Sequence, residues 1–347
     1  MVVVLLLAVA AEGARRAVRA AVHRPPAARI PGARVDPSTH PVLLANPRSG
    51  GGTAERVALA DEAHRRGIEH VVLGPGDDLQ RRAEEAVQRG ADVLGMAGGD
   101  GSQALVAQVA LAHDLAFVCV PVGTRNHFAK DLDLDPDDPL GALDAFGDAE
   151  EIRIDLGLVA DRVFVNNVSF GVYAMIVGTA GYRENKPVTA WQVVPSVLGP
   201  EAGPVDLQFT GPDGREHTGF QLILVSNDPY RFTADSRFGS RERMDLGVLG
   251  IVAARAGEGD DFPAFAAGWW AGQRDSSGAW LQWEAAEFEV RSAGPIPAGV
   301  DGEALVFDPP LRLRSLPGPL RVRVPATART LGGSSSRVRR FPFLHGG

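Results

Sequence analysis

The sequence predicts an α/β plus mostly-β protein: an N-terminal doubly wound α/β domain over residues 41–150 and a C-terminal antiparallel β-sandwich-like domain over 151–325. Three observations lead there. Short apolar runs alternate with helix-length stretches from Pro41 to Val120, the pattern of a parallel sheet with covering helices. After Glu150, closely spaced β-type segments take over. The length of 347 residues suits two domains at the usual ~100–200 residues each.

The elements follow in order. Residues 1–40 read as an N-terminal extension and linker, with 24–41 rich in Pro and Arg and free of periodicity. Residues 41–45 form a short apolar strand, and a glycine-rich turn leads into a helix over 53–66. Thr53 is a fitting N-cap and Gly67 a fitting stop. Strands are expected at 70–73, 92–97 and 116–120, and helices at 79–89 and 102–113, the former closed by Gly90. Cys119, the one cysteine, falls in an apolar run and reads as a buried strand residue.

In the second domain, strands are expected at 152–159, 162–169, 205–209, 220–226, 249–254, 280–283, 288–291, 305–307, 311–316 and 320–324. Helix-like stretches near 173–183 and 263–271 interrupt them. Residues 326–347, rich in Gly, Ser and Arg, read as a loose tail.

Composition narrows the function classes. A net charge of −8 argues against nucleic-acid binding by phosphate neutralisation. With a single cysteine, neither an internal disulfide nor a multi-cysteine metal site is expected. Lys130 and Lys186 are the sole lysines, and no Gly-Lys-Ser/Thr occurs, so the lysine-bearing P-loop is absent. The apolar stretch 1–11 is too short to span a bilayer, which takes about 20 residues. Its arginines, Arg15, Arg16 and Arg19, come after the apolar run, the reverse of a secretory signal. The segment reads as a simple extension, or as a basic amphipathic stretch that lies on anionic lipid.

Three glycine-containing loops follow expected strands, where open α/β sheets bind ligands. The first is Asn46-Pro47-Arg48-Ser49-Gly50-Gly51-Gly52. Glycines let backbone N–H groups approach a phosphate, and the next helix offers its positive end. The second is Gly98-Gly99-Asp100-Gly101-Ser102. An acid among such glycines repels a triphosphate unless it holds Mg²⁺ or accepts the proton of an attacking hydroxyl. It is equally suited to capping a helix that starts at Ser102. The third, Pro121-Val122-Gly123-Thr124-Arg125-Asn126-His127-Phe128-Ala129, adds hydroxyl and backbone donors and Arg125 to neutralise phosphate, with Asn126 as a fitting N-cap.

Asn-Pro-x-Ser-Gly-Gly-Gly, Gly-Gly-Asp-Gly-Ser and Pro-x-Gly-Thr-x-Asn-x-Phe-Ala occur in that order. Together they resemble the diacylglycerol kinase catalytic domain, whose superfamily includes bacterial lipid kinases, sphingosine kinases and, more distantly, NAD kinases. Phe164-Val165-Asn166-Asn167-Val168-Ser169-Phe170-Gly171 and Val300-Asp301-Gly302-Glu303 extend the resemblance into the second domain, over about Pro41 to Pro325.

The resemblance implies a lipid kinase that transfers the γ-phosphate of ATP, with Mg²⁺, to a diacylglycerol-like hydroxyl. Its site lies in the cleft between the two domains. The chain is expected to be cytoplasmic, peripherally membrane-associated, free of nucleic acid, and able to pair as a homodimer. Asn46, Pro47, Ser49, Gly50, Gly51, Gly98, Gly99, Asp100, Gly101, Ser102, Gly123, Thr124 and Asn126 match the ATP loops. Asp100, Asp301 and Glu303 are the catalytic candidates, with the base expected among the last two and Asp100 on phosphate or metal. Arg183 is a further candidate phosphate contact, and Phe170, Trp191 and Tyr230 are candidate acceptor-pocket residues.

Three departures stand out. His127 replaces the family's usual Asp. Asp245, the candidate ligand of a structural Mg²⁺, is displaced by one residue from the family's position, which turns an extended side chain to the other face. No acid lies in 172–177, against an amino-lipid substrate. An NAD kinase-like enzyme and a catalytically inactive nucleotide- or lipid-binding protein are the alternatives.

Overall fold

The computed structural model of the chain describes residues 30–171, 206–230, 241, 243–255 and 280–327. Within 30–159 the apolar runs form strands and the intervening amphipathic stretches form helices. The strands are β1 (Gly32–Val35), β2 (Pro41–Ala45), β3 (Glu69–Val72), β4 (Val93–Gly98), β5 (Ala116–Pro121) and β6 (Ala149–Val159). The helices are α1 (Thr53–Arg56), α2 (Leu59–Arg65), α3 (Leu79–Gln88), α4 (Asp100–Ala112) and α5 (His127–Asp131).

Alternate residues of each parallel strand serve opposite faces. Leu94 and Met96 pack with Ala107 and Phe128 of α4 and α5, whereas Val93 and Ala97 pack with Leu59 and Ala63 of α2. Helices therefore cover both faces, and the doubly wound expectation is met. The expected 53–66 helix is broken at Ala58, whose φ of 50° is left-handed.

The second domain comprises β7 (Arg162–Phe164), β8 (Asn167–Gly171), β9 (Phe209–Thr210), β10 (Glu216–His217), β11 (Leu222–Asn227), β12 (Leu249–Ala254), β13 (Trp280–Ala285), β14 (Glu287–Val290), β15 (Ile296–Val300), β16 (Glu303–Phe307) and β17 (Leu311–Pro325). A six-stranded antiparallel sheet runs β13-β12-β11-β8-β15-β16. Its inner residues, among them Phe170, Val225 and Ile251, pack against Phe288, Val290, Leu311 and Leu313 of β14 and β17. The helix-like stretches expected near 173–183 and 263–271 lie outside the described residues.

The large sheet runs β1-β6-β17-β5-β4-β2-β3, with β7 added to β6 and β14 to β17. Two strands thus belong to both domains. Residues 311–316 and 320–324, expected as separate strands, are one strand with a register shift between Leu316 and Leu320. The intervening Pro317 and Gly318 make an irregularity in the ladder rather than a turn. Leu311 and Leu313 serve the sandwich core, while Leu320, Val322 and Val324 serve the α/β core. The expected linker also holds an edge strand: β1 pairs antiparallel with β6. The chain between β1 and β2 is pinned by Asp92, which accepts from the N–H groups of Thr39 and His40 at 2.7 and 3.0 Å.

Candidate active site

The three glycine loops converge at the C-terminal ends of β2, β4 and β5. Asn46 N–H donates to the carbonyl of Ala97 (2.9 Å), tying the first loop to β4. Its side-chain oxygen accepts from Arg48 N–H at 3.1 Å. Gly50 has φ 57°, and a Cβ there would stand 2.2 Å from the Val122 carbonyl oxygen. Only glycine fits this crossing of the first and third loops. Gly123 in turn would put a Cβ 2.7 Å from Gly99 Cα. Asn126 is buried with a left-handed φ of 48°, and Thr124 is exposed at the rim. Gln103, missed from the sequence, donates from Nε2 to the carbonyls of Met96 (2.9 Å) and Val120 (3.1 Å), locking β4 to β5 beneath the loops.

Helix α4 begins at Asp100, two residues earlier than expected, with Gly99 as N-cap. The free N–H groups of its first turn therefore point out of the second loop, an arrangement that favours anions. Asp100 does not cap its own helix. Its carboxylate accepts from the N–H groups of His127 (3.3 Å) and Phe128 (3.2 Å), at the start of α5. His127 thus joins the site through its backbone. Burial lowers its imidazole pKa, against the opposing pull of Asp100.

The second domain closes the cleft with two carboxylates. Asp301 sits between β15 and β16 with φ 46°. Its carboxylate accepts from the N–H groups of Val165 (2.8 Å), Asn166 (2.8 Å) and Asn167 (3.0 Å). These lie at the break between β7 and β8, where one continuous strand was expected. Burial pushes the Asp301 carboxyl up to about 7, with the charge of Asp100 adding to it and the three amides opposing. A carboxyl that titrates there suits proton transfer near neutral pH. Glu303 lies over Gly101, where a Cβ would be 3.0 Å from its Oε1. Its Oε2 accepts from Arg162 Nη2 at 2.6 Å. Arg162, a second residue missed from the sequence, carries no local signal: it reads as an ordinary strand residue, and Glu303 is distant in sequence.

The structure leaves Asp245 elsewhere, gripped by Arg243 through two hydrogen bonds of 2.7 and 2.6 Å. Its neighbour Asp228 is buried and pushed up to about 8, by desolvation first and by Asp155 second. A carboxylate that an arginine already holds by two hydrogen bonds is a poor donor for a divalent cation. No group of three or more His, Cys, Asp or Glu able to hold a metal occurs among the described residues. The residues near Asp245 therefore do not fit the structural Mg²⁺ expected from the resemblance. Arg183 and Trp191 lie outside the described residues. Phe170 belongs to the sandwich core, fully buried.

A doubly wound α/β domain whose glycine loops meet carboxylates of a β-sandwich across a cleft defines the class. Residues 40–159 match the family described as Diacylglycerol kinase catalytic domain. Among similar proteins is one from Stenotrophomonas maltophilia named "Probable lipid kinase YegS-like". It is 27% identical over 319 residues, which cover 84% of this chain and 98% of that one. A Mycobacterium tuberculosis protein named Diacylglycerol kinase is 34% identical over 123 residues, 34% of this chain and 40% of that protein. A Bacillus anthracis crystal structure shares the fold with a TM-score of 0.62 at 16% identity, covering 84% of this chain and 98% of its own. A further one, described as a diacylglycerol kinase, shares it at 0.56 and 15%, with the same coverage. The family resemblance read from the motifs is borne out, as is the two-domain architecture.

Proposed function

We propose that the chain is an ATP-dependent lipid kinase that moves the γ-phosphate of ATP to the hydroxyl of a diacylglycerol-like acceptor. The observation that carries this reading is Asp301: a buried carboxylate held by three amides beside the N-terminus of α4, which burial pushes up to about 7. In the proposed reaction, Asp301 takes the proton of the acceptor hydroxyl as its oxygen attacks the γ-phosphorus, and ADP departs. Phosphoryl transfer is mostly positioning and charge neutralisation. The amides of Gly99 to Ser102 and the positive end of α4 supply fixed positive charge for the phosphates. Mg²⁺ would arrive with the nucleotide, and Asp100 and Glu303, hard oxygen donors beside the loop, are the side chains that would hold it while it neutralises phosphate charge.

A cavity of about 630 Å³ on the outer face of the six-stranded sheet supports an amphiphilic acceptor. Ser226, Tyr230, Val252, Trp280, Gln282 and Trp283 line it. Its lining mixes the rings of Tyr230, Trp280 and Trp283 with the polar Ser226, Gln282 and Glu284. Asn167 links it to the cleft: its Nδ2 donates to Tyr230 Oη (2.9 Å) and its backbone N–H holds Asp301. No helix among the described residues is long and apolar enough to cross a membrane. The acceptor would be met by peripheral contact with a membrane surface.

The test is labelled ATP offered with diacylglycerol vesicles, other lipid acceptors and NAD in parallel. Transfer to a lipid that Asp301→Asn abolishes supports the reading. Transfer to NAD alone, or nucleotide binding without turnover on any acceptor, overturns it.

A further inference from the structure

Besides the strands they share, the two domains are joined by a buried arginine. Arg241 and Asp131 form an ion pair whose side chains are 0% and 2% exposed. Arg241 Nε and Nη2 donate to Asp131 Oδ2 at 2.9 and 2.7 Å. Nη2 also donates to Asn166 Oδ1 at 2.9 Å. Nη1 donates to the carbonyls of Val165 and Asn227, both at 2.6 Å. These bonds engage all five guanidinium N–H donors, each with a good partner.

The partners matter more than their number. Asp131 ends α5, the short helix whose first amides hold Asp100. Val165 and Asn166 belong to the segment whose amides hold Asp301. A hydrogen-bonded path therefore runs from Asp100 through α5 and Asp131 to Arg241, and on through 165–166 to Asp301. A buried ion pair is a weak device for stability alone, since apolar side chains of similar volume often serve as well. A planar five-donor fork is a strong device for fixing several groups relative to one another.

Resting on the kinase reading, we propose that Arg241 is a positioning residue that couples the third nucleotide loop to the Asp301 cradle. Occupancy of the ATP loops then tightens the 165–167 segment, and the carboxylate is aligned when nucleotide is bound.

The experiment uses the full chain, with ADP as probe and two variants. Arg241→Met/Asp131→Leu removes both charges, so none is left buried and unpaired. Arg241→Lys keeps one charge but only three donors. Amide hydrogen exchange is read at 98–102 and at 165–167, with and without ADP. In the parent protein ADP slows exchange at both segments, by about threefold or more at 165–167. In the double variant the protection at 98–102 persists and that at 165–167 is lost. Turnover falls about 10- to 100-fold in both variants with KM for ATP nearly unchanged, the pattern of a misplaced reacting group. Protection at 98–102 without protection at 165–167 in the parent protein refutes the coupling alone. Coupling that survives the double variant refutes it as well. Absence of ADP protection at 98–102 in the parent protein refutes the nucleotide reading, and the inference falls with it. Should the double variant fail to fold, Arg241→Lys decides by the same two readouts.

Discussion

Replacing Asp301 with asparagine removes the proposed base while keeping a side chain of nearly the same size in the same turn. The parent carboxyl is raised from an ordinary 3.8 to about 7. A shift of that size disfavours the ionised form by on the order of 4 kcal/mol relative to water. The three amide bonds limit the shift, and the charge of Asp100 adds to it. The rate on saturating lipid should therefore rise with pH through an apparent pKa near 7. About a tenth of the carboxyl is ionised at pH 6 and about nine-tenths at pH 8.

Asp301→Asn should lower kcat about 10²- to 10⁴-fold and erase this acid limb. Asp100→Asn should move the limb to lower pH, because it removes a charge that raises the Asp301 pKa. Stability runs the opposite way. The unfolded carboxyl loses its proton near 4 and the folded one near 7, so the folded state binds more protons between them. The Asp301 contribution to stability is thus greatest below about 4 and is lost as pH rises to about 7. The assays are initial rates from pH 5 to 9 at constant ionic strength and thermal melts across the same range. A pH–rate profile that Asp301→Asn leaves intact would refute the assignment.

Further outcomes follow from the same geometry. Gly50→Ala forces a Cβ against the Val122 carbonyl at a left-handed φ, so it should cost about 1–3 kcal/mol and weaken ADP binding, read by melting and calorimetry. Arg162→Met frees Glu303, and should lower turnover about tenfold while the melting temperature moves little, because a pair still 22% and 32% exposed to solvent adds only about 0–1 kcal/mol. Asp245→Asn should leave the Mg²⁺ dependence of both melting and turnover unchanged, since Arg243 already holds that carboxylate. Asp228→Asn should flatten the fall in stability between about pH 4 and pH 8, because its carboxyl, like that of Asp301, gains protons on folding.

Local chemistry was legible along the chain. The apolar runs at 41–45 and 93–98 became strands because their side chains are buried on both faces. The glycines of the first and third loops announced close backbone approach, and Gly50 and Gly123 make it with Val122 and Gly99. The motif order was enough to bring out the resemblance to the diacylglycerol kinase catalytic domain, whose model residues 40–159 match. What the sequence by itself determined was thus the alternation of elements, the loops and the carboxylates on offer.

Tertiary structure decided what those carboxylates do. Periodicity reports that a face is buried, never against which partner, so it could not foresee Asp100 serving α5, or Arg162 meeting Glu303 across 141 residues of sequence. Nor could it foresee that a break at 165–167 supplies three amides to Asp301, more than 130 residues away. The same limit hid the reach of β17, which pairs with β14 in the second domain and with β5 in the first. The donors existed in the sequence; only the packing of two sheets through shared strands brought them to one cleft and buried Asp301 deeply enough to push its carboxyl up to about 7.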